Sequence, residues 1–434
     1  MNILAVALGS ALALMGLFFA FRSLRHKRII DDTPTSKTQG VFIGLSELKG
    51  TAESEIPFTG YLSGASCVHY NWLVQEHWSR TVVETYTDAK GRVQTRTRHE
   101  SGWKTVASGG ESGPFYLKDD TGVIRIVPEG ASINDTTLFN RTCGRNDPLY
   151  YDKGPPGAVP HSDHRRQFRE SGILLHAQLY VMGQSRERTD AVAAEVAKDK
   201  AAPMFIISMR SERQISSGYL VGFWVWLVLG LLFAAGGAIG WNLINYDNLA
   251  VWPPYLIAAG GYLILLGIGW LWTVYNSLVN LHHRVEQSWS QVDVQLKRRN
   301  DLIPNLVQAV QGYSTHESET QQLIAELRSQ MEATPPGVRG PDYKGFAPAI
   351  RAIIERYPDL KAGESFLKLQ QSLTETEQRI ALARDYFNDS ATFYNTRLEI
   401  IPDRFVAVMA GMKPRMLMSA ADFERAPVKV NLAT

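Results

Sequence analysis

His161-Ser162-Asp163-His164 puts two imidazoles and a carboxylate in one short stretch, the side-chain types that ligate zinc and activate water. It lies beside Arg165-Arg166, at the end of a polar Gly/Pro-rich connection over 146–161, and reads as a solvated loop. Glu76-His77 pairs a carboxylate with an imidazole but lacks the second histidine of a helical zinc motif. Asp119-Asp120 fits a hairpin turn. A second gathering of polar groups includes Glu286, Asp293, Asn300, Asp301, Glu377, Arg384, Asn388 and Asn395. A di-metal centre in a helical bundle needs inward glutamates and Glu-x-x-His pairs. This region has no such pair, and His316-Glu317 has the wrong spacing. The expectation is a register-fixing polar network or a subunit contact. It would be made by Asp293, the basic triplet Lys297-Arg298-Arg299, Asn300, Asp301 and Glu377. Bases at a helix end also complement its dipole. No phosphate-binding loop, dinucleotide fingerprint, nucleophile elbow or kinase signature occurs. The expectation is therefore no enzyme, no cofactor and no metal.

The elements that position these groups begin with three apolar stretches in a chain of 434 residues. They run roughly Ile3–Phe21, Gly218–Trp241 and Trp252–Tyr275, each long enough to cross a bilayer as a helix. Arg22, Arg25, Lys27 and Arg28 follow the first stretch, so it reads as an anchor with its N-terminus outside rather than a cleaved signal. Arg210 and Arg213 before the second stretch, and Arg284 after the third, agree with that orientation. Both large polar regions are then expected on the cytoplasmic face of a bacterial inner membrane. The net charge of +2 argues against a nucleic-acid partner. Cys67 and Cys143 could form one bridge in an oxidising compartment, or stay as buried free thiols in a reducing one.

Residues 29–215 read as β-rich. Arg80–Thr87 and Arg92–His99 alternate and flank Asp88-Ala89-Lys90-Gly91, a hairpin signal. WKTVAS, PFYLK and VIRIV continue as a meander broken at GGESG and DDTG, ILLHAQLYVMG and MFIIS are later strands, and Asp190–Ala201 is a short helix or an inserted loop. TPTSKTQGVFIGLSELKGTAES, SGASCVHYNW, GVIRIVP, RESGILLHAQLYVMG and FIISMRSERQ resemble the GIDE or BAM ("beside a membrane") domain of membrane-anchored E3 ubiquitin ligases. Those ligases end in a zinc-binding RING, and a chain with two cysteines has none, so the resemblance does not imply ligase activity.

Residues 276–434 carry helical periodicity. Tyr275, Leu278, His282, Val285, Trp289, Val292 and Leu296 form one seam, continuous with the third span. His282 on that seam reads as a hydrogen-bonded core histidine. A second helix is expected to start at Asn300 or Asp301 with Pro304 in its first turn, and a shorter one to cover Pro348–Arg356. Phe366, Leu373, Ile380, Phe387, Tyr394 and Ile401 recur every seven residues in a final long helix. The segment DRFVAVMAGMKPRMLMSAADF is amphipathic and methionine-rich, suited to cap the helices, meet another subunit or lie on a membrane. YNSLVNLHHRVEQSWSQVDVQLKRRNDLIPNLVQAVQGYSTHE, YPDLKAGESFLKLQQSLTETEQRIALARDYFNDSATFYNTRLEIIP and APVKVNL resemble the LemA family of bacterial membrane proteins. That resemblance implies no known enzymatic activity, and relatives that shape magnetosome membranes imply a scaffold.

The fold expected is a multi-pass α+β membrane protein with three transmembrane helices, a β-rich cytoplasmic domain and a long antiparallel helical bundle. Its parts would be 1–28, a first span with basic flank; 29–215, the GIDE-like domain; 216–275, two further spans; and 276–434, the LemA-like bundle. The function expected is a homo-oligomeric scaffold that organises or remodels the membrane, with the lipid bilayer and further copies as partners. The alternative is an envelope-stress adaptor that recruits a cytoplasmic partner or membrane protease.

Overall fold

The computed structural model describes residues 2–87, 93–188, 193–200, 202–246, 251–311 and 364–418. They divide into one unit of Met1–Gly40 with Glu212–Thr434, and a second of Val41–Ser211.

The second unit is built from β-strands whose inward positions are aliphatic. Strands β2 (Gly44–Glu53), β6 (Phe115–Lys118), β7 (Val123–Ile126), β12 (Ala194–Ala197) and β11 (Gln178–Glu187) pair in that order, and β11 pairs back onto β2. The ring therefore closes as a small barrel, which leaves no free edge among these five strands. Leu117, Ile126, Val181, Val196 and Ile207 fill its interior. Strands β13 (Ile206–Ser208) and β8 (Ser132–Asn134) continue the sheet from β11. The other sheet has the order β3 (Phe58–Thr59), β4 (Ser66–Thr87), β10 (Ser162–Leu174), β9 (Thr136–Gly144), with β5 (Val93–Ser112) also on β4. Val68 and Ile173 from this sheet join the barrel core.

Three expectations change here. GGESG is no turn: β5 runs through it to Ser112, and a Cβ on Gly109 would lie 2.9 Å from the Trp72 ring that crosses it. ILLHAQLYVMG is not one strand: it breaks at Leu175-His176-Ala177, where His176 has φ 63°, and its two halves enter different sheets. The span Asp190–Ala201 contributes strand β12 rather than a helix, with Asp190–Val192 and Ala201 outside the described residues. The expected turn Asp88–Gly91 also lies outside them.

The first unit holds three helices long and apolar enough to cross a membrane: α1 (Asn2–Asp31), α3 (Glu212–Asn245) and the first part of α4 (Pro253–Gln311). α1 and α3 cross at glycines seven residues apart. A Cβ on Gly16 would stand 2.7 Å from Gly230 Cα, and one on Gly9 2.8 Å from Gly237 Cα. Backbones that close need residues without side chains. Gly236 and Gly240 have the four-residue spacing of a close helix contact, but a Cβ on Gly236 would meet nothing within 4 Å.

The expected long antiparallel bundle is not what the described residues form. They show α4 with a single long partner, α5 (Glu364–Glu399), followed by the short α6 (Asp403–Met409); with α1, α3 and the four-residue α2 (Leu149–Asp152) of the β unit, the described residues hold six helices, a β-barrel and a second sheet. No second bundle helix begins at Asn300 or Asp301. α4 continues through them to Gln311, with Pro304 inside it. The periodic seam is there, but the reading of Pro304 as first-turn proline of a new helix fails, because α4 carries Pro304 in its interior. The remainder of that expected helix, and Pro348–Arg356, lie outside the described residues.

Candidate functional site

α4 and α5 run antiparallel, with ring contacts Trp289–Phe387 and His282–Tyr394 along their seam. Val285, Val292 and Leu296 of α4 and Leu373, Ile380 and Tyr394 of α5 are buried. Of the sequence-predicted polar residues, the structure brings Arg299 and Glu377 together across this seam. Arg299 is buried at 1% exposure, and its Nη1 lies 3.9 Å from Glu377 Oε1. Asp293 is half-buried, whereas Lys297, Arg298 and Asp301 are exposed. The side chain of Asn300 lies outside the description.

A second arrangement on the same helices went unpredicted. After α6 the chain turns at Gly411 (φ 64°) and runs extended from Met412 to Met418. Two asparagines of α5, seven residues apart, hold it by its backbone. Asn395 donates to the Arg415 carbonyl at 2.7 Å and accepts from the Arg415 N–H at 2.8 Å. Asn388 does the same to Met418, at 3.0 and 2.8 Å. The Arg415 side chain reaches α4, 2.5 Å from Glu286 and 3.1 Å from His282 Nε2. A cavity of about 430 Å³ opens beside it, lined by Val279, His282, Tyr394, Met412 and Arg415. His282 is thus a seam histidine with polar company.

The third feature is an ionic junction where α1 ends. Arg28 forms a two-pronged pair with Asp403 of α6, at 2.8 and 2.9 Å, and Asp403 is 2% exposed. Arg397, at the end of α5, lies 3.6 Å from Asp403 and 2.8 Å from Asp32. Asp32 also accepts from Ser277 of α4 at 2.9 Å, and Asp31 from Ser216 of α3 at 2.5 Å. Burial pushes the Asp32 carboxyl above the usual range, against the pull of Arg397. Among the described residues, α1, α3, α4, α5 and α6 all contribute to this junction, so the C-terminal end of α1 and the N-terminal end of α3 lie at one level. Sequence reasoning missed it because Arg28 and Asp403 are 375 positions apart and nothing local to either points to the other.

In the β unit, Glu76 and Arg166 are fully buried. Arg166 donates to Glu76 at 3.0 and 3.1 Å and to the carbonyls of Tyr150, Pro155 and Gly157 at 2.8 Å, fastening the 146–161 connection. Burial pushes the Glu76 carboxyl up, but donation from Ser162, Tyr150 and Arg166 outweighs it and holds the group below the usual range. Asp163 pairs with His77 at 2.6 Å, while His161 and His164 occupy left-handed backbone positions at φ 58° and 59°. Among the described residues, no three histidine, cysteine or carboxylate side chains gather as metal ligands. Cys67 and Cys143 are free and buried.

Residues 288–432 match the LemA family profile, and residues 83–239 match GIDE, a profile described as E3 ubiquitin ligase. Protein LemA of Metamycoplasma hominis is 25% identical over 173 residues, 38% of this chain and 79% of its own length. Magnetosome protein MamQ of Magnetospirillum gryphiswaldense is 25% identical over 169 residues, 32% of this chain, and the chain spans 62% of that relative. MamQ 1 and MamQ 2 of Paramagnetospirillum magneticum are 24% identical over the same extent. The chain joins a GIDE region to a LemA region in a membrane-associated protein.

Proposed function

We propose that this membrane-associated LemA-type protein is a non-catalytic, homo-oligomeric scaffold that organises or remodels a bacterial inner membrane, with its N-terminus outside and both polar regions in the cytoplasm. The observation that carries the reading is α4. Its 59 residues run without a break from an apolar span into the LemA region, roughly 90 Å at about 1.5 Å per residue. A helix continuous across that boundary transmits any tilt imposed on its outer part to the bilayer. The ionic junction ties the ends of α1, α3, α5 and α6 to the same helix, which suits a rigid lever. Relatives named as magnetosome proteins support a task at a membrane rather than in solution.

Reconstitution of the full chain into liposomes at rising protein density tests this reading. The proposal expects tubules, buds or flattened zones above a threshold density, imaged in vitrified samples. Liposomes that stay round at every density would sink it. A reporter fused at residue 120 tests the orientation: periplasmic activity would overturn the cytoplasmic placement.

A further inference from the structure

We infer that α6 and the turn before it form a second membrane contact, seated at the boundary between headgroups and acyl chains of the bilayer that α4 crosses. The inner face of α6 is fixed: Val406 and Ala407 are buried against Trp270, Val274 and Leu278 of α4. Those α4 positions bracket the end of the apolar span. At about 1.5 Å per residue from Pro253, a core about 30 Å thick ends near residue 273. The level of α1 agrees, because Phe21, the last apolar residue before Arg22, lies against Gly269.

The outer face of this element is apolar and open. Ile401, Phe405, Val408 and Met409 are 62–82% exposed. Such a group beside water would be an unusual exposed patch. At the same level of α4, Ile268, Leu271 and Trp272 are also exposed, at 59%, 43% and 71%, as apolar side chains facing lipid would be. The single acid of α6, Asp403, is turned inward onto Arg28 and Arg397, so the outward face keeps only Arg404 as a charge. A short helix with apolar residues outward and a flanking cation is the pattern of an interfacial segment. The ionic junction acts as its mount, fixing the depth of α6 against α1 and α4. Inserted from one leaflet, it would add area on one side only. The inference holds for a single copy and does not rest on self-assembly.

The test labels the full chain at Met409→Cys with a nitroxide, in liposomes of phosphatidylethanolamine and phosphatidylglycerol. Leu271→Cys on the exposed side of the span serves as the lipid reference, and Val294→Cys, farther along α4, as the aqueous one. Relaxation by oxygen is compared with relaxation by a water-soluble nickel complex. The inference expects Met409→Cys to resemble Leu271→Cys, with oxygen the more effective relaxer several-fold. Nickel-dominated relaxation like that of Val294→Cys would place the face in water and overturn it. Protection from both relaxers would place a protein surface there, such as a second copy, and overturn it too.

Discussion

Glu76 and Arg166 sit on neighbouring strands at 0% exposure, each supplying the other's counter-charge. Removing one partner strands the other in a low-dielectric interior, so Arg166→Met is expected to cost about 3–5 kcal/mol in a denaturant titration of the β unit. The double substitution Glu76→Gln with Arg166→Met is expected to recover the part owed to the stranded charge, but not the three backbone hydrogen bonds that Arg166 makes. Because the folded Glu76 carboxyl is held below its ordinary value, its contribution is present above an unfolded value of about 4.3 and is lost as pH falls through the folded one. Melting temperature followed from pH 6 downward therefore drops in the native chain, and drops less steeply in the double variant. The thiols give a second test. Burial, with Glu170 and Glu111 nearby, pushes Cys67 up to about 11, so neither it nor buried Cys143 should alkylate before unfolding. Mass spectrometry showing rapid labelling of the folded chain would contradict this. The sequence showed Glu76, His77, His161 and His164 as ligand-type residues without a metal motif. It could not show that Glu76 faces inward to Arg166, because inward charges follow the same period-two pattern as surface ones.

At the level of elements, helices and spans were legible and their partners were not. Length and apolar content marked α1, α3 and the start of α4, and the heptad of Phe387 and Tyr394 marked α5. Long strands such as β4 and β5 were visible from alternation, but ring closure through β11 and β2 depends on pairings far apart in the chain. The glycine crossing shows why pattern alone misleads. Gly236 has the sequence context of a contact yet faces open space, while Gly16 and Gly230 touch. Gly16→Val is expected to overpack the α1–α3 crossing by about 1–3 kcal/mol. Gly236→Ala is expected to be silent, and thermal unfolding in detergent separates the two. The asparagine clamp offers a further check. Asn395→Ala deletes two hydrogen bonds worth about 1–2 kcal/mol together, so the Arg415 amide should exchange about tenfold faster with solvent. Unchanged exchange at Arg415 would mean the tail is held by other contacts.

For the molecule as a whole, the sequence showed three apolar stretches, a GIDE-like region and a LemA-like region, and the structure and profiles place three long apolar helices, a GIDE match over 83–239 and a LemA match over 288–432. The junction that unites Arg28, Asp32, Arg397 and Asp403 was not legible, because each charge looks solvated until the fold brings it to another. The scaffold reading requires that many copies meet while each remains rooted in lipid through α1, α3 and α4. The most direct measurement is the particle mass and shape of the full chain in mild detergent, by light scattering and single-particle imaging. The account predicts a large closed assembly, a ring or a cage, many times the 48.4 kDa of one chain. A monodisperse monomer or dimer would contradict it and turn attention to an adaptor with an unidentified cytoplasmic partner.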